Sequence, residues 1–269
     1  MKKTQNCEST FRRTPTVADA GSFDRFPQGV VRITYRSDAD GLEDRALAVP
    51  GAHPLGIGIV VLHGHGSGGD QLFTWKQLGN DRDFLRRLRC GVLSPDLRGN
   101  AWMCPEAVED LAKLITFAKK RFKWRKVILA SGSMGGTGGL IFASHHPELA
   151  DAVIALGAAT DLASYVSWCG RQKPEVCGRI AEAIRTAYKN DRELMKTHST
   201  LARWKNLTMP VWLCHGAADE IIPVSQSRRL AGKMAESPGF VYREVWRGDH
   251  DSPMLSFTEC VSQAIFTLF

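Results

Sequence analysis

An apolar segment runs directly into a serine between two glycines at Lys126–Thr137, where the sequence reads KVILASGSMGGT. Its first residues have the apolar character of a short buried strand, and the residues after Ser133 are compatible with a helix. A serine hydroxyl is a weak nucleophile unless a tight turn exposes it and a base removes its proton. Gly132 and Gly135 permit such a turn, because residues without a Cβ tolerate positive φ angles and close backbone contacts. The segment therefore predicts a strand–turn–helix unit with Ser133 as a candidate nucleophile.

Two other interpretations of this segment are open when it is taken alone. The serine of a glycine-rich turn can simply cap the helix that follows it. A glycine-rich turn after a strand can also hold a phosphate, but the pattern GxxxxGK[ST] is absent and GxGxxG does not fit. Residues elsewhere in the chain are needed to choose between a nucleophile and a cap.

Strand-like and helix-like segments alternate along most of the chain. The predicted strands are residues 30–35, 45–49, 57–62, 90–93, 126–130, 152–157, 210–214 and 240–246. The predicted helices are residues 105–121, 135–146, 224–236 and 254–268. This alternation predicts an α/β fold with a mostly parallel central sheet and helices on both faces. In such a sheet the loops after the strands' carboxyl ends meet at one edge, where a site forms.

The domain organisation follows from length and pattern. A chain of 269 residues with 43% hydrophobic residues can bury one substantial core. We expect residues 1–28 to be an irregular N-terminal arm and residues 29–269 to be one α/β domain. Residues 160–207 interrupt the alternation with a polar, helix-bearing segment that contains Trp168 and Trp204. This predicts a small helical cap, and the alternative is a set of packed helices without substrate contact.

Charge and hydropathy exclude some classes of protein. The formal net charge is +7, but basic residues do not alternate with aromatic ones and no helix-turn-helix or finger spacing is present, so we expect no nucleic-acid partner. No apolar stretch is long enough to span a bilayer. Residues 1–7 have the basic start of a signal peptide without its apolar segment. We therefore expect a cytoplasmic protein, with secretion as the alternative if a leader has been removed.

The cysteines and histidines show no metal-ligand pattern. The chain has seven Cys and eight His but no CxxC pair and no HExxH, so we expect neither a metal nor another cofactor. Cys90 and Cys214 adjoin apolar strands and are expected to be buried thiols. Cys169 and Cys177 lie in one polar region, and a disulfide between them is an option only for an exported protein.

Three further loops complement a nucleophilic serine. Residues 62–69, LHGHGSGG, form a glycine-rich loop after a strand, and its backbone N–H groups can face an oxyanion. Residues 214–223, CHGAADEIIP, offer Asp219 after a later strand. Residues 247–251, RGDHD, offer His250 after the last strand.

The order Ser133, Asp219, His250, with spacings of 86 and 31 residues, is the order of the catalytic triad in one particular fold. From about residue 29 to its C-terminus the chain resembles the α/β-hydrolase superfamily, and within it dienelactone-hydrolase-like and prolyl-oligopeptidase-like esterases. The resemblance is carried by SGSMG at 131–135, HGHG at 63–66, SPDLRG at 94–99, HGAADEIIP at 215–223 and His250. The chain departs from the superfamily pattern at Ser131, where glycine is usual, and at Asn100, where smaller residues often follow.

The resemblance implies the α/β-hydrolase fold and a role for each residue of the triad. Ser133 attacks a carbonyl carbon, and His250 takes its proton and returns it to the leaving group. Asp219 fixes the imidazole tautomer and stabilises the imidazolium. The acids that compete with Asp219 for this role are Glu220, Asp249 and Asp251.

The resemblance also implies an oxyanion hole formed by backbone N–H groups. Met134 and His65 are the expected donors, and Gly66 is the alternative to His65. His63 is expected to hold the glycine-rich loop by hydrogen bonds. The remaining histidines expected to be structural are His145 and His146.

These observations predict a cofactor-free serine esterase that forms an acyl-enzyme on Ser133. Basic charge, the aromatic cap and Trp102 favour a small-molecule ester with a small or sugar-linked acyl group. A prolyl-oligopeptidase-like peptidase and an acyltransferase are the alternatives, because they use the same residues. The roughly 28 residues before the first predicted strand are too few for the propeller domain of such peptidases, which favours esters. A binding protein with an unused triad is a fourth hypothesis, and the sequence makes no prediction of oligomeric state.

Overall fold

Nine strands form one central sheet in the computed structural model, which describes residues 10–20 and 29–269. The strands are β1 (Thr16–Asp19), β2 (Val31–Arg36), β3 (Glu43–Val49), β4 (Ile57–Val60), β5 (Gly91–Pro95), β6 (Lys126–Gly132), β7 (Ala152–Leu156), β8 (Val211–Gly216) and β9 (Phe240–Val245). Their order across the sheet is β1-β2-β3-β5-β4-β6-β7-β8-β9. Strands β1 to β3 pair antiparallel, whereas the strands from β5 to β9 in this order are parallel. The mostly parallel α/β sheet predicted from the sequence is confirmed.

Helices cover both faces of the sheet. They are α1 (Gln71–Thr74), α2 (Gly79–Arg87), α3 (Pro105–Phe122), α4 (Ser133–His145), α5 (Leu162–Cys169), α6 (Glu175–Ala187), α7 (Arg192–His198), α8 (Thr200–Arg203), α9 (Ser225–Met234) and α10 (Phe257–Thr267). Leu111 and Phe142, from α3 and α4, belong to one apolar cluster, and Leu85 and Val261, from α2 and α10, belong to the other. Strand β4 is buried at every position, as expected for a strand covered on both faces.

The order in which strands are added to the sheet reverses at β4, and this reversal positions the candidate site. After β4 the chain forms β5 on one side of it and then returns to form β6 on the other side. In parallel sheets such a reversal opens a crevice at the carboxyl ends of the two neighbouring strands. The glycine-rich loop after β4 and Ser133 after β6 both lie at this crevice.

The insertion at residues 160–207 contains helices α5 to α8. Its Tyr165 and Tyr188 are fully buried and belong to the same apolar cluster as α3 and α4. The insertion is therefore packed on the main domain by apolar contacts. Cys169 and Cys177 within it are free, buried thiols, so the disulfide that the sequence left open is not formed.

The structure adds elements that the sequence did not predict. Thr16–Asp19 pairs with β2, although the segment 1–28 was predicted to be irregular; the rest of that arm, residues 1–9 and 21–28, lies outside the described residues. Strand β1 was missed because it is short and mostly exposed, and α2 because only Leu85 of its nine residues is buried. None of the described helices combines the length and apolar character needed to cross a membrane.

Candidate active site

The turn that carries Ser133 has a glycine on each side, and both lie against neighbouring groups. Ser133 is the first residue of α4 and has a φ of 55°, in the left-handed region that residues with a side chain rarely adopt. A Cβ on Gly135 would overlap the carbonyl oxygen of Leu62, and a Cβ on Gly132 would overlap the sulfur of Met254. The two glycines therefore let the turn pack closely against Leu62, after β4, and against the side chain of Met254. This is the strand–turn–helix unit that the sequence predicts.

Ser133, His250 and Asp219 lie within hydrogen-bonding distance of one another in series. The Nε2 atom of His250 is 2.9 Å from Oγ of Ser133, and its Nδ1 atom is 2.7 Å from Oδ2 of Asp219. Because a carboxylate only accepts, Nδ1 carries the proton of the neutral ring, and Nε2 is left to accept the hydroxyl proton. The structure thus brings together three predicted side chains from the loops after β6, β8 and β9.

Asp219 is held as a buried, charged acceptor. Its Oδ1 accepts hydrogen bonds from the backbone N–H groups of Ile221 and Ile222 at 2.8 and 2.9 Å. Burial by itself raises the pKa of Asp219, but hydrogen bonds from His215, His250 and Ile222 outweigh it and hold the pKa well below the ordinary carboxyl value. A carboxylate that stays ionised can stabilise a positive charge on His250.

His215 supports Asp219 and was not among the predicted site residues. Its Nε2 lies 3.2 Å from Oδ2 of Asp219 and 2.8 Å from the carbonyl oxygen of Ile222, so this nitrogen carries the proton. Its Nδ1 accepts a hydrogen bond from the Ser227 hydroxyl at 2.7 Å. The spacing HGxxD at the end of a buried strand is the sequence signal from which this pair could have been found.

The competing acids either bond to other groups or make no contact with the base, His250. Glu220 is exposed to solvent. Oδ1 of Asp249 accepts hydrogen bonds from Ser252 and from the backbone N–H of Asp251, which closes the turn next to His250. Asp219 is the carboxylate that contacts His250.

Two backbone N–H groups are available to an oxyanion. Met134 is the second residue of α4, so its N–H has no acceptor within the helix. The N–H of His65 has no acceptor in the described part of the chain. The N–H of Gly66 donates to Oδ1 of Asn100 at 2.7 Å, which leaves it unavailable. In the described residues the N–H groups of Met134 and His65 are therefore without a protein acceptor, whereas that of Gly66 has one.

The side chains of His65 and His63 are fixed in different ways. The indole N–H of Trp102, a buried residue, donates to Nδ1 of His65 at 3.3 Å. Burial lowers the pKa of His65, so its ring is neutral and carries its proton on Nε2. The ring nitrogens of His63 lie 2.8 and 2.9 Å from the carbonyl oxygens of Gly64 and Asp96, consistent with the expected structural role.

The two positions that depart from the superfamily pattern both bond to the glycine-rich loop. Oγ of Ser131 accepts the backbone N–H of Leu62 at 2.7 Å. Asn100 accepts the N–H of Gly66, as described above. Both side chains therefore fix the loop that carries His65.

Potential metal ligands at this edge bond to protein groups instead. Residues 10–20 and 29–269 contain no group of three or more His, Cys, Asp or Glu side chains arranged to hold a metal ion. The groups present at the edge are a hydroxyl, an imidazole, a carboxylate and free backbone N–H groups. Such groups can activate a serine and stabilise an oxyanion.

A family model described as alpha/beta hydrolase fold matches residues 59–180 of the chain. No curated protein sequence matches this chain. The esterase Pf2001 of Pyrococcus furiosus superposes with a TM-score of 0.65 at 13% identity, covering 96% of this chain and 97% of the esterase. S-formylglutathione hydrolase FrmB from Staphylococcus aureus superposes with a TM-score of 0.62 at 13% identity, covering 89% of this chain and 98% of the hydrolase. A Mycobacterium tuberculosis puromycin-hydrolyzing peptidase superposes with a TM-score of 0.63 at 18% identity, covering 87% of this chain and 38% of the peptidase. At these identities the likeness is evidence for a shared fold.

Proposed function

We propose that this chain, which has the α/β-hydrolase fold that its sequence predicts, is a serine hydrolase that cleaves carboxylic esters. The observation that carries the proposal is the series of contacts from Asp219 through His250 to Ser133, at 2.7 and 2.9 Å. The free N–H groups of Met134 and His65 support it, because ester cleavage passes through an oxyanion.

The residues act in a fixed order. Oγ of Ser133 attacks the carbonyl carbon while its proton passes to Nε2 of His250, and the oxyanion accepts hydrogen bonds from the N–H groups of Met134 and His65. The carbon–oxygen bond to the alcohol then breaks, and His250 gives its proton to the departing oxygen. Water attacks the acyl-enzyme with His250 as base and releases the acid. Each oxyanion donor contributes about 3 kcal/mol to the transition state.

The same residues can cleave an amide or transfer the acyl group to an acceptor other than water. Structures similar to this chain include esterases and a peptidase, so the fold is compatible with both reactions. A serine peptidase and an acyltransferase are therefore the alternatives to an esterase. The narrower likeness to dienelactone-hydrolase-like and prolyl-oligopeptidase-like enzymes stays a prediction.

The test is labelling with a fluorophosphonate, followed by mass spectrometry and ester hydrolysis assays. We expect one adduct, on Ser133, and a loss of about 10⁴-fold or more in kcat in Ser133→Ala and His250→Ala. Ser262→Ala, on the exposed face of α10, and His146→Ala, beside Glu148, are matched controls and should keep wild-type activity. Aminoacyl p-nitroanilides assayed beside p-nitrophenyl esters separate a peptidase from an esterase. A folded wild-type protein that neither labels nor hydrolyses any ester contradicts the proposal.

A further inference from the structure

Basic side chains are concentrated at the edge of the sheet opposite the candidate active site. Ile57, Gly91 and Lys126 begin the neighbouring strands β4, β5 and β6, so the segments that lead into these strands lie at this amino edge. Two of these segments end helices α2 and α3 with runs of basic residues. Seven exposed cations, which we call the basic edge, belong to them: Arg86, Arg87, Arg89, Lys120, Arg121, Lys123 and Arg125.

The loop between β3 and β4 joins the two basic segments. The backbone N–H of Ala52 donates to the carbonyl oxygen of Arg89 at 2.8 Å, on the α2 side. On the α3 side, the backbone N–H of Arg125 donates to the carbonyl oxygen of Gly56 at 2.7 Å. The buried Trp124 donates its indole N–H to a carbonyl oxygen of the same loop at 2.8 Å. The basic edge is therefore one continuous surface on a fixed backbone.

Most of the basic edge has no acidic partner. Arg86 lies 3.7 Å from Asp83, and Arg87 shares a surface groove with that aspartate. The other five cations have no carboxylate within ion-pairing distance in the described part of the chain. The loop that joins the two segments, residues 50–56, contains no acid either. Unpaired cations at this density attract a surface that is itself negatively charged.

Two exposed aromatic side chains lie at the same edge. Helix α10 starts after β9 and runs back along the sheet, and Gln263 near its end accepts the indole N–H of Trp212, the second residue of β8, at 3.0 Å. The residues after Gln263 therefore reach the amino edge, and among them Phe266 is 87% and Phe269 is 60% exposed. Helices α10 and α2 pack on the same apolar cluster, so the two phenylalanines lie on the face that carries the end of α2.

We propose that the amino edge is a docking surface for an anionic phospholipid bilayer. The cations attract the charged groups of the lipid surface, and each Lys or Arg close to it strengthens binding roughly fivefold. The phenylalanines enter the boundary between headgroups and acyl chains and add an apolar contribution. Ser133 lies at the opposite, carboxyl edge, so the site of the docked protein faces away from the bilayer. The inference does not depend on the proposed ester hydrolysis.

The placement of the aromatic residues favours a bilayer over a nucleic acid. A single strand also offers phosphates, but its bases stack on exposed rings that lie among the cations. The rings within the basic segments, Phe122 and Trp124, pack against each other with centroids 5.6 Å apart, and Trp124 is buried. The exposed Phe266 and Phe269 instead flank the cations at the end of a helix. A bilayer is the partner that uses both the cations and these rings.

The test is co-sedimentation with lipid vesicles at about 0.1 M salt. We expect wild type to bind vesicles that contain phosphatidylserine in phosphatidylcholine, and to stay in the supernatant with phosphatidylcholine alone. The variant Lys120→Gln/Arg121→Gln/Lys123→Gln should bind about a hundredfold more weakly, because it removes three cations of the basic edge.

Two matched controls separate the basic edge from the rest of the surface. Lys173→Gln/Arg192→Gln/Lys196→Gln removes three exposed cations of the insertion and should bind like wild type. Phe266→Ala should weaken binding about fivefold, whereas Leu255→Ala, an equally exposed residue after β9, should have no effect. All the substituted side chains are exposed, so the variants should keep the circular dichroism spectrum of wild type.

Four results would overturn the proposal. Wild type that ignores anionic vesicles, or that binds phosphatidylcholine alone equally well, has no such docking surface. Equal weakening in both triple variants would show only a general attraction by the net charge of +7. Unchanged binding in Phe266→Ala contradicts the insertion of its ring and the choice of a bilayer. Labelled single-stranded DNA is titrated in parallel, and if it binds more tightly than the vesicles and only the basic-edge variant loses it, the partner is a nucleic acid.

Discussion

At the scale of single residues, Ser131 and Asn100 accept backbone N–H groups of the glycine-rich loop. Ser131 accepts the N–H of Leu62, and Asn100 accepts the N–H of Gly66. These bonds hold both ends of the segment that contains His65. The N–H of His65 is left without an acceptor in the described chain, as an oxyanion donor must be.

Replacing Asn100 by alanine is expected to slow the reaction without weakening substrate binding. Without its acceptor the N–H of Gly66 is released, and the N–H of His65 moves from its position by a fraction of an ångström. We expect kcat to fall by about tenfold with KM nearly unchanged, because a misplaced donor acts on the transition state. Steady-state kinetics with an acetyl ester measures both constants.

Asn100 is exposed, so the variant should fold normally. Asn100→Asp keeps the acceptor oxygen and should recover part of the lost rate, whereas the exposed Asn80→Ala serves as the control. An unchanged kcat in Asn100→Ala would show that this bond does not position His65.

At the scale of elements, the insertion supports the loop between β5 and α3. His198, at the end of α7, lies next to His145 of α4, with ring centroids 4.1 Å apart. Burial lowers the pKa of His198 to about 4, and Arg203 adds to this effect, while the bond to the Met103 carbonyl opposes it. A histidine that stays neutral in the folded protein therefore holds the backbone at Met103.

Stability should decrease as the pH falls through the range in which histidine ordinarily titrates. In the unfolded chain His198 takes up a proton near pH 6.5, whereas in the folded protein it does so only near pH 4. The stability present above about pH 6.5 is therefore lost as the pH falls toward 4. We expect the Tm to fall between pH 7 and pH 5, and to fall less in His198→Gln, which can still donate to Met103. His146→Gln is the control, and identical pH dependence in all three proteins would rule out this role for His198.

The strands and helices that carry the site could be predicted because their apolar patterns are local. Strand β6, the turn at Ser133 and the loops with Asp219 and His250 follow from short motifs. Strand β1 and helix α2 bury few residues, and their sequences contain few apolar residues. The contacts of Asn100 with Gly66 and of Trp102 with His65 could not be predicted, because they depend on which distant loops the sheet brings together.

At the scale of the whole molecule, the site exists only when the sheet is complete. Ser133 and His250 are 117 residues apart in sequence and touch because β7, β8 and β9 lie in order beside β6. The insertion shares its apolar cluster with α3 and α4. We therefore expect the sheet, the insertion and the site to unfold as one cooperative unit.

Unfolding in urea should remove activity and secondary structure together. We expect the same midpoint for ester hydrolysis, far-ultraviolet circular dichroism and tryptophan fluorescence, because Trp168 and Trp204 pack against the shared cluster. Each signal is followed at equilibrium on one set of samples. A fluorescence or activity midpoint well below that of the circular dichroism would mean that the insertion unfolds separately.

The left-handed backbone at Ser133 costs stability, so thermal stability and catalytic turnover make opposite demands on this position. Glycine would relax the same bend and strengthen the protein, but it would remove the hydroxyl. A lineage selected for thermal endurance alone is therefore expected to discard this serine.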